Sequence, residues 1–355
     1  MYVLWSRGMI GKAMLEPVRG LGVHWATQLK AVPFYAATAA MPARLSVEPQ
    51  FFAVPGVWDL TVVVGAVALA SAVFLAWRGR GAFSSEVFGI AWALVALLPS
   101  AIVPLNVLVN EHRLYLPMVG AILAIGALVR NSRFAAYLVV GTVLVLAALT
   151  VERNSVWKSE ASLWADAVHK GPRMARPHVN LGKALLEDPQ GQRLQKSIDA
   201  SRKALLINAT LPRAHYNIGT AYLRSGEREL AIASYRRALE MDRAMMEAHM
   251  NLGVALKELG RYSQAQVSFR NALGVADFAE VHHNLASSFL AALQPDSAAV
   301  HFREALIRDP EKQVTYEGLA KSLRFAGRHR QEALKVLTTA LAKWPRGYRA
   351  VAAQG

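Results

Sequence analysis

The second half of this chain repeats itself, and a fixed repeat period narrows the possible folds more than any composition does. Aligned on their histidines, "RPHVNLGKALL", "RAHYNIGTAYL", "EAHMNLGVALK" and "EVHHNLASSFL" bring His178, His215, His249 and His282 into register. The spacings are 37, 34 and 33 residues. Each block runs on to an Ala-Leu pair: Ala204-Leu205, Ala238-Leu239, Ala272-Leu273 and Ala305-Leu306. The clearest unit, "RAHYNIGTAYLRSGERELAIASYRRALEMD", has Gly219 and Ala231 where two paired helices must approach closely. One helix pair cannot bury its apolar face alone, whereas stacked pairs share one core and present a concave groove.

Units of this length and phase resemble the tetratricopeptide (TPR) repeat. A fifth unit runs from Gln313 to Pro345 with one extra residue after Gly327, and the first unit carries three extra residues around "DPQGQR". Ahead of it, "SEASLWADAVHKGP" resembles the second helix of another unit, with the preceding apolar run standing where its first helix would be. The expectation is an α-solenoid over residues 152–346, half a unit plus about five, with a tail at 347–355.

Groove function is read from side chains outside the packing pattern, and two ladders present themselves. The four histidines recur once per unit, and equivalent helices lie about 10 Å apart. Zinc-bound nitrogens sit about 2 Å from one ion, so neighbouring rungs cannot share a metal. Packing in the aromatic slot of the repeat explains them, and no metal is expected. The second ladder is Asn180, Asn217, Asn251 and Asn284. An amide both donates and accepts, so a row of them can grip the backbone of an extended peptide with little regard for its sequence. The row resembles the asparagine ladder inside the TPR superhelix of O-linked N-acetylglucosamine transferase. Asparagine is also common at this position in repeats generally, so a packing role stays open beside the peptide-binding one.

The first half has a different composition. Residues 1–151 hold ten Lys/Arg and five Asp/Glu, against thirty and twenty in residues 152–355. The net charge of +15 is therefore spread over both halves. No basic block interleaved with aromatics marks a nucleic-acid surface, and a basic chain beside an anionic bilayer suffices. With no cysteine, disulfides, zinc-thiolate sites and cysteine nucleophiles are excluded. The opening "MYVLWSRGMIGKAMLEPVRG" is broken by Arg7 and Lys12 and is no signal peptide.

Four segments lack charge: Leu60–Trp77, Val87–Asn110, Leu114–Val129 and Phe134–Val151. A hydrocarbon core of about 30 Å needs about 20 helical residues. The second run is ample, the first and last adequate, the third short by itself. Trp58, Trp77, Tyr115 and Tyr137 stand near their ends, as interfacial aromatics do. Buried helices of a soluble protein are the alternative, but four such runs joined by short links argue for membrane spans. A membrane domain of four transmembrane helices is expected over 57–151. The links with Arg78 and Arg80, and with Arg130 and Arg133, are cationic, whereas the one between spans two and three holds Glu111-His112-Arg113. The positive-inside rule then puts the first two links in the cytoplasm and the TPR half on the extracytoplasmic side, periplasmic or luminal. Residues 1–56 form an extracytoplasmic or interfacial segment, whose semi-apolar stretch His24–Leu45 reads as an interfacial or re-entrant helix.

The turn "NEHRLYLPMVG" is similar to the E-R-x-L-Y-L-P-type segment of transmembrane-and-TPR proteins, multi-pass C-type (GT-C) glycosyltransferase relatives that include protein O-mannosyltransferases. "YAATAAMPARLSVEPQF" looks like the stretch before a late span in that family. The resemblance implies a site at the external membrane face for a polyprenyl-phosphate sugar. Arg113 would hold the phosphate by charge-assisted hydrogen bonds and Glu111 would orient it; the alternative is that both are loop residues reaching water. The family's presumed catalytic acid lies in a first external loop that precedes the region matched here. Glu48 and Asp59 are outward acids ahead of the charged turn and stand in no such motif. Sugar transfer needs a base for the acceptor hydroxyl, and no other catalytic motif replaces it. No catalytic residue and no cofactor is therefore assigned. The expectation is a membrane-anchored TPR protein that binds proteins or peptides, with transferase ancestry. The alternative is the active subunit or a fragment of a polyprenyl-phosphate-sugar-dependent protein glycosyltransferase. Membrane lipids are the other expected partners, and nucleic acid is not one.

Overall fold

A computed structural model describes residues 21–40, 45–54, 58–78, 85–102, 119–120, 122–123, 126, 133–187, 193–327 and 330–344. Among them the chain is all-α, with fifteen helices and no strand. It divides into two compact units, residues 1–177 and 178–355.

In the first unit, α1 (Leu21–Ala40) keeps Pro33 inside the helix. An extended segment, residues 45–54, returns along it. Thr27 accepts from the Val54 amide at 3.3 Å, and Lys30 donates to the Phe52 carbonyl at 3.1 Å. Ala26, Val54 and Val62 close the small core between them, which joins α1 to α2 (Leu60–Arg78). Gly65 on α2 explains how near the two helices come: a Cβ there would lie 1.8 Å from the Leu29 carbonyl oxygen. Only glycine permits that contact, as at the small-residue crossings of membrane helices. α3 (Ser85–Ile102) follows.

α4 (Ala135–Val156) has no buried residue along its 22 positions. It is about 33 Å long at 1.5 Å per residue. Among the described residues it is the one helix long and apolar enough to cross a membrane, and the apolar stretch of α2, Leu60–Leu75, is shorter. The second uncharged run is helical over Ser85–Ile102. Its continuation to Asn110 and most of the third run lie outside the described residues. α5 (Glu160–Lys170) starts at a reciprocal cap between Ser159 and Ser162. It is tied to the end of α4 by Asp166, which meets Arg153 at 2.7 Å and Lys170 at 2.9 Å. Lys170 also donates to the Leu45 carbonyl, and Arg176 pairs with Glu48 at 3.4 Å.

The repeats are five helix pairs: α6 (Ala175–Leu186) with α7 (Leu194–Ile207), α8 (Pro212–Ser225) with α9 (Arg228–Met241), α10 (Met246–Glu258) with α11 (Tyr262–Val275), α12 (Ala279–Ala291) with α13 (Pro295–Arg308), and α14 (Gln313–Phe325) with α15 (Arg330–Lys343). An aromatic on three second helices, Tyr235, Phe269 and Phe302, is almost completely buried. Each presses on a glycine of a first helix, Gly219, Gly253 and Gly318, where a Cβ would lie 2.8, 2.6 and 2.4 Å from the ring. One apolar cluster runs without a break from Ala231 to Ala333, and two smaller ones, around Val179 and Leu186, serve the first pair. The turn inside each of the last four pairs needs one left-handed residue. Gly226, Gly260 and Gly327 supply it at three of them, whereas the fourth turn uses Leu293 with φ 58°. Exposed ion pairs tie successive units at their edge, Arg228 to Glu258 at 2.7 Å and Arg261 to Glu229 at 2.6 Å among them.

Candidate functional site

The first helices α8, α10, α12 and α14 touch one another in turn, more closely than successive second helices do. The side on which helices crowd is the inner side of a curved stack, so these first helices form its inner wall. Side chains bridge each first helix to the next. Asn217 donates to the Val179 carbonyl at 2.9 Å, and Asn251 to the Tyr216 hydroxyl at 3.1 Å. Lys257 donates to the Ser287 hydroxyl at 3.3 Å, and His283 Nδ1 meets the Thr315 hydroxyl at 3.0 Å.

The four asparagines of the sequence ladder are thus not equivalent. Asn217 is 3% exposed, with its donor committed to the neighbouring helix. Asn251 is half-buried and shares its amide with Tyr216. Asn180 and Asn284 are half-buried and, among the described residues, have no side-chain hydrogen-bond partner. Of the histidines, His178 and His282 are buried and His215 and His249 half-buried. His249 Nε2 lies 3.0 Å from the Arg243 carbonyl. His282 stacks on His301, with Nδ1 atoms 3.2 Å apart, and its Nε2 meets Asp277 at 3.0 Å. His301 in turn lies parallel to Phe289. Burial, then the facing His282, pushes the His301 pKa down. Two Nδ1 atoms at this distance share one proton, so one ring of the pair is neutral. Among the described residues no group of three or more ligating side chains could hold a metal.

Two wall residues outside both ladders carry the local electrostatics. Burial lowers the Lys257 pKa, opposed by the neighbouring Glu258. His283 is pushed down to about 4, by burial first and then by Lys312 and Lys257. Its ring stands edge-on to Phe302, centroids 5.4 Å apart. The doublet in "VHHN" is the signal that could have found it: one residue along a helix turns about 100°, which takes His283 out of the slot that His282 fills. Glu111 and Arg113 lie outside the described residues.

Residues 216–269, most of the second and third helix pairs, match the tetratricopeptide repeat family. The chain carries TPR units there. No curated protein matches the sequence. Among solved structures, one similar chain is YrrB, described as a TPR protein with an unusual peptide-binding site. It is 19% identical, with a TM-score of 0.46, over 55% of this chain and 98% of its own. PilF of Pseudomonas aeruginosa is 23% identical, TM-score 0.43, over 48% of this chain and 76% of its own. MamA from Desulfovibrio magneticus is 16% identical, TM-score 0.44, over 49% and 96%.

Proposed function

We propose that this chain is a membrane-anchored TPR protein that binds proteins or extended peptides along the inner wall of its repeats, outside the cytoplasmic membrane. The observation that carries the binding reading is the inner wall itself. Asn180, Asn251 and Asn284 stand on successive or alternate first helices with polar groups accessible, while Asn217 braces the wall from within. Amides spaced by one repeat match an extended chain, because rungs about 10 Å apart fit every third residue at about 3.3 Å per residue. The anchor rests on α4, whose apolar side chains find no cover among the described residues. The outward orientation rests on the cationic links Arg78–Arg80 and Arg130–Arg133.

The test uses full-length protein in nanodiscs and fluorescence anisotropy with labelled unstructured peptides. Replacing Asn180, Asn251 and Asn284 together by alanine should weaken binding at least about tenfold, since each lost hydrogen bond is worth about 1 kcal/mol. Unchanged affinity would sink the asparagine reading. Protease accessibility of the repeats in sealed vesicles tests the orientation: digestion only from the cytoplasmic face would reverse it.

Descent from the C-terminal half of a lipid-linked sugar transferase is the finer reading, and "NEHRLYLPMVG" supports it. Under the second reading, an active subunit of such an enzyme, Glu111→Ala and Arg113→Ala would abolish transfer from a polyprenyl-phosphate sugar. Silent variants with peptide binding intact would leave the binding protein.

A further inference from the structure

We infer that the facing Nδ1 atoms of His282 and His301 form a two-nitrogen site for a divalent transition ion, zinc first among them, between the two helices of the fourth pair. The site is independent of the peptide-binding reading.

The histidine ladder cannot supply such a site, because neighbouring rungs stand a whole repeat apart. The second nitrogen comes instead from within one unit. His282 lies on α12 and His301 on α13, and their Nδ1 atoms are 3.2 Å apart. The rings are near-parallel, with 28° between their planes and centroids 5.4 Å apart. That separation exceeds the one between the nitrogens by about a ring's width, so the rings are slid apart until their Nδ1 edges meet. Zinc–nitrogen bonds of about 2.0–2.1 Å, opened to the tetrahedral angle, hold two nitrogens about 3.3–3.4 Å apart. At a right angle, as in square-planar sites, the same bonds bring them to about 2.9 Å. The spacing of the pair lies nearer the tetrahedral value.

The surroundings prepare both rings. His282 Nε2 lies 3.0 Å from Asp277 Oδ1, and a carboxylate beside a neutral imidazole accepts its N–H. The proton is thereby kept on Nε2 and the lone pair on Nδ1, as in a carboxylate–histidine–zinc triad. Asp277 is itself held by Arg308, which also meets Glu304. His301 is set from the other helix, its ring parallel to Phe289 at 5.5 Å between centroids. Arg270 stands over the same Phe289 ring. The carboxylates of Asp277 and Glu304 thus balance the guanidiniums of Arg308 and Arg270, and no net charge repels a cation. His282 is buried, whereas His301 is half-buried and opens the pair to solvent. Imidazole nitrogens select zinc, copper or nickel, while magnesium and calcium require oxygen ligands. Two side chains are fewer than a closed structural site takes, so water fills the other positions and the ion is exchangeable. On binding, the ion replaces the one proton that the two nitrogens share, and that proton passes to solvent.

The test is calorimetric titration of untagged full-length protein in nanodiscs with zinc chloride, beside magnesium chloride. One zinc should bind per chain and raise the urea midpoint of the repeats, since the ion binds the folded state; magnesium should do neither. His301→Gln should remove both the zinc site and the rise in midpoint. Asp277→Asn changes an exposed positioning residue that touches no ion. It should weaken zinc about tenfold while the stoichiometry stays at one. Circular dichroism without zinc checks that each variant folds, and Asp277→Asn keeps the test decisive should His301→Gln unfold. Absence of saturable zinc binding would overturn the site. Zinc bound as tightly by folded His301→Gln would place the ion elsewhere and end the assignment. An equal response to magnesium would reduce the effect to unspecific charge and count against it too. Unchanged affinity in Asp277→Asn would contradict the tautomer on which ligation through Nδ1 depends.

Discussion

α4 and α10 are both rich in Ala, Val and Leu, yet they solve the same problem in opposite ways. On α10, Ala248, Leu252, Ala255 and Leu256 are buried at 7% exposure or less, and the polar face carries Glu247, Lys257 and Glu258. On α4, Val139, Val140, Val143, Leu144 and Val145 are all more than half exposed, and no position is buried. A helix apolar on one stripe finds its cover in neighbouring helices, whereas one apolar all round needs another medium. The two helices thus differ in where their apolar surface goes: that of α10 is covered by its neighbours, and that of α4 is left uncovered among the described residues.

The largest expected effect falls in the repeat core. Phe269→Ala empties a fully buried site against Gly253 and should cost about 3–5 kcal/mol. Urea unfolding followed by circular dichroism on the full-length protein measures it. A loss under about 1 kcal/mol would mean that the aromatic–glycine contacts do not organise the repeats. Next in size, Leu144→Arg at the middle of α4 should disfavour insertion by about 3 kcal/mol and leave the repeat midpoint unchanged. Membrane fractionation beside the same urea titration separates the two. A fall in the repeat midpoint with membrane association intact would show α4 to be covered by protein, and the comparison would break.

Acid sharpens the comparison from the repeat side. His283 titrates at about 4 when folded and near 6.5 when unfolded, so the unfolded chain holds more protons between those values. Repeat stability is then complete above about pH 6.5 and falls as the pH drops toward 4. The loss should be about 1–2 kcal/mol, allowing for solvent screening of a partly exposed ring. His283→Gln should flatten that slope, and a slope unchanged by it would remove His283 as the cause. The smallest effect is a gain. Leu293 holds the left-handed turn position that glycine occupies in the other three turns, and its side chain is 88% exposed. Leu293→Gly should therefore raise repeat stability by about 1 kcal/mol, visible as a higher urea midpoint. A lower midpoint would mean that the exposed leucine makes a contact worth more than its backbone strain.

Much of the repeat half was legible beforehand because a period of helix pairs leaves few choices. The phase of the repeat placed the small residues Gly219 and Ala231 at a close approach of paired helices, and the structure buries both. The first half was legible as apolar runs, and α4 runs close to the uncharged stretch that announced it. The wall was not. Asn180, Asn217, Asn251 and Asn284 are the same letter at the same position, and nothing in the letters distinguishes the buried brace from the open rung.

By itself, the sequence determined the all-α class, the repeat phase and the uncharged run that becomes α4. These follow from periodicity and from where charge is absent, which are properties of short stretches. Only the tertiary structure decided that Asn217 is spent on Val179, that Lys257 reaches Ser287 and His283 meets Thr315, and that Leu293 stands in a glycine's place. Hydrogen-bond commitments and electrostatic fields depend on distances between side chains some thirty residues apart along the chain. Those distances are set by how one helix pair stacks on the next.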